Sequence, residues 1–286
     1  MHDRGPVPVQ SPAGCADRSA GGGDLDGALV NEGLDAVSPG GAHGATDRVR
    51  EVTAALTAAR ARLERACRAA GRDPESVTLL PVTKFFPVSD VRILYDLGCR
   101  HFGESREQEA AAKIDQFRAA VDDASVRWDM IGNLQRNKAR GVARWASAVH
   151  SVDSERLLAA LDRAATASRE AGERTDPLDV FVQVSLDGDP ERGGAPLPEL
   201  ERLGTRAEEA PNLRLVGLMA VPPLGSDAET AFAELQRVHR DFVRAFPNAT
   251  QLSAGMTNDL EHAVRYGSTC VRVGTALLGS RPITST

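Results

Sequence analysis

A lysine amine attacks aldehydes only after losing its proton, and burial beside apolar groups favours that loss. Lys84 is placed for such chemistry. The segment LLPVTK leads into it through five mostly apolar residues, and Phe85, Phe86 and Pro87 follow. A plain ion pair is the alternative, with a carboxylate such as Glu104 at the end of the next apolar run, HFGES. Near the C-terminus, LSAGMTND carries Ser253, Gly255 and Thr257, and VRVGTALLG carries Arg272, Gly274 and Thr275. Glycines and small hydroxylated residues after strands suit a phosphate, because backbone N–H groups and hydroxyls can surround it. Arg272 can only donate hydrogen bonds. Inside a protein it requires an acceptor, either a carboxylate or an aromatic ring nitrogen, and a ring nitrogen facing it would stay unprotonated. A pyridine ring in that state is a poorer electron sink than most pyridoxal enzymes use.

These residues gain meaning from the elements that must carry them. Short β-branched runs recur at Val77–Val82, Arg100–Phe102, Val126–Ile131, Ala148–Ser151, Asp179–Ser185, Leu213–Met219, Thr250–Leu252 and Thr269–Val273. Helical patterns separate them at Val88–Leu97, Arg106–Ala120, Leu134–Arg144, Glu155–Ala171, Leu197–Glu209, Asp227–Phe246 and Asp259–Tyr266. Ser226 with Glu229 and Asn258 with Glu261 fit capping boxes, while Gly98 and Gly267 stop their helices. Eight strands alternating with helices predict an α/β fold, a single (β/α)8 TIM-type barrel. An open doubly wound sheet is the runner-up, but the first strand-to-helix turn, TKFFPVS, lacks the glycine fingerprint of a dinucleotide site. In a barrel the chemistry sits at the C-terminal strand ends, where Lys84, Ser253, Gly255, Gly274 and Thr275 all fall.

The barrel is expected over residues 47–286, opened by a helix whose apolar stripe is Val49, Val52, Leu56, Ala59, Leu63, Ala66 and Ala70. Residues 1–46 hold ten of the 26 glycines, four of the 16 prolines and no aromatic residue besides histidine, the composition of a disordered tail. The net charge of −6 gives no global reason to expect nucleic acid as a partner. No apolar run reaches the roughly 18 residues of a membrane span, and no secretory signal opens the chain, so a cytoplasmic protein is expected. Cys15, Cys67, Cys99 and Cys270 show no metal-ligand spacing, and no metal is expected. Arg136, Lys138 and Arg140 read as a solvated helix face, and Trp128 as core.

Taken in order, LLPVTK, HFGESREQEA, WDMIGNLQRNK, HSVDS, GLMAVPP, LSAGMTNDLEHAV and GSTCVRVGTALLGSR resemble the signature blocks of the pyridoxal-phosphate homeostasis proteins. These share their barrel with the N-terminal domain of alanine racemases. The resemblance runs from about Asp47 to Arg281. It implies pyridoxal 5'-phosphate (PLP) as cofactor, held as a Schiff base by Lys84. It also implies Ser253 and Gly255 near the phosphate, Gly274 and Thr275 in the phosphate loop, and Arg272 facing the pyridine nitrogen. Three positions depart from the family. Phe86 replaces a frequent second lysine, Ser105 stands where asparagine is usual, and Asp129 stands where histidine is usual.

The expected function is therefore PLP binding in vitamin B6 homeostasis, without catalysis and with no catalytic residue assigned. Apo-PLP enzymes are the expected recipients and a monomer the expected state. The alternative is an amino-acid racemase on the same barrel. That chemistry needs two bases on opposite substrate faces, and in alanine racemases a β domain supplies the second, a tyrosine. The sequence ends five residues past Arg281, and its two tyrosines, Tyr95 and Tyr266, fall in helical stretches. A vestigial pocket on a pure interaction protein is the third reading.

Overall fold

A computed structural model of the chain describes residues 40–223 and 225–280. Eight parallel strands form one sheet: β1 (Thr78–Pro81), β2 (His101–Glu104), β3 (Arg127–Met130), β4 (Ala148–Val152), β5 (Leu178–Val184), β6 (Leu213–Ala220), β7 (Gln251–Ser253) and β8 (Cys270–Val273). Each strand pairs with its chain neighbour from β2 through β8, and β8 pairs with β1. The remaining gap is bridged where Val82 meets Gly103 and the Thr83 amide donates to the Gly103 carbonyl at 3.0 Å. The molecule is thus the expected (β/α)8 barrel.

Helices follow the strands: α1 (Gly40–Ala69) before β1, then α2 (Val88–Asp96), α3 (Glu107–Ala120), α4 (Ala139–Trp145), α5 (Glu155–Glu170), α6 (Leu200–Glu209), α7 (Ala228–Ala245), α8 (Leu260–Arg265) and α9 (Thr275–Leu278). Helix α1 starts at Gly40, so residues 40–46, expected in the tail, are helical; the earlier part of that tail lies outside the described residues. Two caps differ from expectation. Asp227, not Ser226, caps α7 by accepting from the Thr230 amide at 2.9 Å, because Ser226 Oγ turns back to the Pro223 carbonyl. At α8 the N-cap is Asp259 rather than Asn258, and its carboxylate accepts from the Met256 amide.

The barrel has two interiors of different character. Between strands and helices lies a continuous apolar core, including Val52, Leu56, Phe102, Trp128, Leu161, Leu203, Phe232 and Leu277. Trp128 belongs to it, with its ring 5.1 Å from Phe102 and 5.6 Å from Phe117, as expected of a core residue. Inside the barrel the apolar cluster is small: Ala148, Phe181, Val216 and Met219. The bond between His150 on β4 and Ser253 on β7 joins strands that are not neighbours, so it crosses this interior. Buried polar groups stay there only when hydrogen-bonded, and they form the floor of the candidate site.

Candidate functional site

Lys84 sits in the turn after β1, partly exposed, with Nζ 5.7 Å from the Phe85 ring centroid. Among the described residues it has no hydrogen bond or ion pair, so the alternative of a pair with Glu104 does not hold. Glu104 belongs instead to Lys113, whose Nζ lies 2.8 Å from Glu104 Oε1 and 2.8 Å from the Thr83 carbonyl. Thr83 Oγ1 donates to the same carboxylate oxygen at 2.6 Å. All three side chains are buried. Burial pushes the Glu104 carboxyl above the ordinary range, opposed by the charge of Lys113 and the hydrogen bonds of Lys113 and Thr83.

The turn itself is strained and held. Phe85 has a φ of 69°, the only positive value among described non-glycine residues. Bulky residues avoid that region unless their surroundings impose it. Here the Phe85 amide donates to Glu109 Oε1 at 2.6 Å, and the Arg106 guanidinium lies 4.8 Å from the Phe85 ring centroid. The turn carrying Lys84 is therefore fixed from α3, while the lysine amine, over the Phe85 ring, has no hydrogen bond or ion pair among the described residues.

Strands β1, β8 and β7 are consecutive in the sheet, so Lys84, Gly274–Thr275 and Ser253–Gly255 emerge at one mouth. Gly274 opens α9 at its N-cap, and a Cβ there would contact Val82, two residues before Lys84. Thr275 is exposed. Gly255 has a φ of 92°, and a Cβ would overlap that of Ala263 on α8, so glycine is required on both grounds. Its carbonyl accepts from the Arg272 amide at 3.0 Å, tying the two loops together. Ser253 was expected near the phosphate. It is fully buried, and its Oγ is engaged by His150 and Arg272.

Arg272 lies below these loops. Its Nη1 is 2.7 Å from the Ser253 carbonyl and 2.8 Å from Ser253 Oγ, and its Nη2 is 3.0 Å from the Ala220 carbonyl. None of these partners is a carboxylate, so the ion-pair alternative for Arg272 does not hold. Burial draws its pKa down. A buried guanidinium without a counter-ion is costly, and an acceptor or anion entering from the mouth would lessen that cost.

Two large cavities lie near the strand ends. One of about 590 Å³ is at the C-terminal ends of β2 and β3, lined in part by Ser105, Arg106, Glu109, Met130, Asn133 and Lys138. It adjoins the Lys84 turn, because Arg106 and Glu109 contact Phe85. The other, about 610 Å³, is at the opposite end, where Arg127 and Arg214 both pair with Asp179. That end of a barrel serves stability; the first cavity shares the C-terminal end with Lys84 and the glycine loops, though none of those residues lines it.

Sequence reading noted Asp129 only as a departure from the family and gave no role to Lys113, His101 or His150. Behind Ser253, Asp129 Oδ2 lies 2.6 Å from His101 Nε2 and 3.0 Å from His150 Nε2, and His150 Nδ1 lies 2.9 Å from Ser253 Oγ. The available signal was a charged or titratable residue inside an otherwise apolar strand, as in WDMI and AVHSV. Burial would raise the Asp129 carboxyl, but the charge and hydrogen bond of His101 and the hydrogen bond of His150 hold it far below the carboxylate range.

A parallel barrel with a lysine at its first strand end and glycine loops at its last two defines a class, and the comparisons agree with it. Residues 55–282 match the family described as alanine racemase, N-terminal domain. A pyridoxal phosphate homeostasis protein from Mycobacterium tuberculosis H37Rv is 52% identical over 248 residues, covering 84% of this chain and 96% of that protein. One from Corynebacterium glutamicum is 46% identical over 224 residues, covering 78% and 99%. The structure of PipY from Synechococcus elongatus PCC7942 with PLP bound is 34% identical, with a TM-score of 0.64, covering 76% of this chain and 99% of that one. The alanine racemase of Corynebacterium glutamicum, 14% identical with a TM-score of 0.57 and covering 81% of this chain and 63% of that one, shares the fold. This chain belongs to the pyridoxal phosphate homeostasis protein family.

Proposed function

We propose that this protein binds PLP through Lys84 and holds it for vitamin B6 homeostasis in the cytoplasm, as a monomer, without turning over an amino acid. The observation that carries the reading is a lysine without hydrogen bond or ion pair among the described residues, on a clamped turn, beside glycine loops and above a buried arginine lacking a carboxylate. The residues fit the cofactor. The donor set at the mouth suits a phosphate, and Arg272 suits an unprotonated ring nitrogen. PLP supplies an aldehyde carbon to which a lysine amine bonds with loss of water. Lys84 would supply that amine, Gly255, Gly274 and Thr275 would receive the phosphate, and Ser253 would hold Arg272 toward the ring nitrogen. Relatives named for PLP homeostasis and the PLP-bound PipY structure support the same reading. Three buried free cysteines, Cys67, Cys99 and Cys270, suit a reducing compartment, and no described helix is long and apolar enough to cross a membrane.

Where the second base would have to be supports a role without catalysis. Tyr95 donates to Asp123 at 2.9 Å and Tyr266 to Glu229, both on the outer helical layer. Neither phenol is at the mouth beside Lys84. Release to apo-enzymes is by transfer of the cofactor from Lys84 to another amine. The test is to add PLP to the purified protein, follow its visible absorption, and assay the loaded protein with D- and L-amino acids. A saturable visible band without racemisation is expected. Racemisation of any amino acid at enzymatic rates would replace this reading with the racemase.

A further inference from the structure

The row of groups below the mouth admits one arrangement of protons. Arg272 donates to Ser253 Oγ, so the hydroxyl accepts there and its own hydrogen must go elsewhere. His150 Nδ1 lies within reach at 2.9 Å, and the Cys270 sulfur, also in contact with the Ser253 hydroxyl, is a much weaker acceptor. That nitrogen is then an acceptor, which makes His150 neutral with its proton on Nε2. Nε2 donates in turn to Asp129 Oδ2 at 3.0 Å, and His101 donates to the same oxygen at 2.6 Å. Every donor along the row finds an acceptor, and those from Arg272 to Asp129 all point one way, with His101 meeting Asp129 from the other side.

A second proton on His150 would break this pattern. Nδ1–H would face a serine oxygen already receiving Arg272, leaving the serine hydrogen only the weakly accepting Cys270 sulfur. It would also place two cations on either side of one hydroxyl. Burial lowers the affinity of His150 for that proton, opposed by Asp129 and aided by Arg272 and His101. The remaining neighbours do not change this: the Phe181 ring packs on His150 at 4.2 Å, and burial holds the Cys270 thiol protonated, its pKa pushed up to about 12.

We propose that Asp129 and His150 are positioning residues that act through Ser253 to lock Arg272 as a floor presenting only N–H donors to the bound ring. The inference rests on the PLP reading above. Arg272 has five N–H donors, of which three are committed to Ser253 and Ala220. The two left over are free for the ring nitrogen, and Ser253, whose hydrogen is committed to His150, cannot compete by offering its own. Asp129 also supplies the negative charge on which the row ends. With the histidine usual in the family at this position, that charge would be missing. The direction of the row would then no longer be set by a carboxylate.

The test has two arms. In the first, nitrogen-15 NMR of wild-type apo-protein is expected to show His150 as the Nε2–H tautomer, with no second protonation from pH 8 to pH 6. An Nδ1–H tautomer or a cationic His150 in that range overturns the proposal without any variant. In the second, Asp129→Asn and Asp129→His are loaded with PLP beside the wild type, and the visible band is followed against pH. Lys84 should still be the residue labelled after borohydride reduction, while the pH midpoint of the band moves by roughly one unit, a tenfold change in the underlying equilibrium. A folded variant with lowered thermal stability but the wild-type midpoint would show a merely structural row, and the proposal would fail. If wild-type protein itself carries no label on Lys84, the PLP reading fails, whatever the NMR shows.

Discussion

Lys113 reaches from α3 to donate to the Thr83 carbonyl at 2.8 Å, one residue before the lysine proposed to hold the cofactor. The same ammonium neutralises buried Glu104 on β2. One side chain thus joins three elements at the place where β1 and β2 close the barrel by a single bridge, Val82 to Gly103.

Lys113→Met should therefore be among the most damaging substitutions outside the mouth. It leaves Glu104 buried without a counter-charge, which costs about 3–5 kcal/mol when a buried pair loses one member. Urea denaturation would measure the loss, and Lys113→Met with Glu104→Gln should recover much of it. Equal stability for the single and double variants would show that the charge of Glu104 is not what Lys113 serves.

Stability should fall on acidification in two steps. His150 has its pKa lowered by burial, so below the unfolded value of about 6.5 the unfolded chain takes up a proton that the folded chain does not. Asp129 has its pKa depressed, so its contribution is present above the unfolded value of about 3.9 and lost as pH falls below it. Thermal melts from pH 8 to pH 4 should show the first decline beginning near pH 6.5. Replacing His150 by Gln should remove that upper decline, and an unchanged profile would locate it in another group.

Gly255→Ala should destabilise the β7–α8 corner by about 1–3 kcal/mol, because it adds an overlap with Ala263 to an unfavourable positive φ. Gly71→Ala provides the control, since that glycine also has a positive φ, 66°, but open space where a Cβ would go. Chemical denaturation of both variants separates the overlap from the backbone term. Comparable losses would mean the packing against α8 contributes little.

Lys84→Ala should fold like the wild type, because the side chain is partly exposed and makes no hydrogen bond or ion pair among the described residues. It should lose the visible covalent form yet keep PLP weakly. Charge-assisted hydrogen bonds from the phosphate loops are worth roughly 1.5–3 kcal/mol each, so two or three give micromolar-to-millimolar binding. Calorimetry with PLP would read this residual affinity, and complete loss of binding would place the phosphate elsewhere.

The eight strands were legible from their β-branched runs, and the observed bounds fall within two residues of those expected. Lys84 and the two glycine loops were legible because each follows a strand end directly, and barrel topology alone then brings those ends together. Asp129, His150 and Lys113 were not. Their partners lie 21, 103 and 30 residues away in the chain, and nothing local tells a buried charge which distant group will receive it. Ser253 shows the same limit from the other side. Its place at a strand end was correct, but alternation along β7 turns its hydroxyl inward to His150, which only the three-dimensional register reveals.

Borohydride reduction of PLP-loaded protein, followed by peptide mapping, tests the central claim most directly. The account predicts a single phosphopyridoxyl group on Lys84, within the segment LLPVTKFF. Labelling of Lys113 or Lys138 with Lys84 unmodified would contradict it.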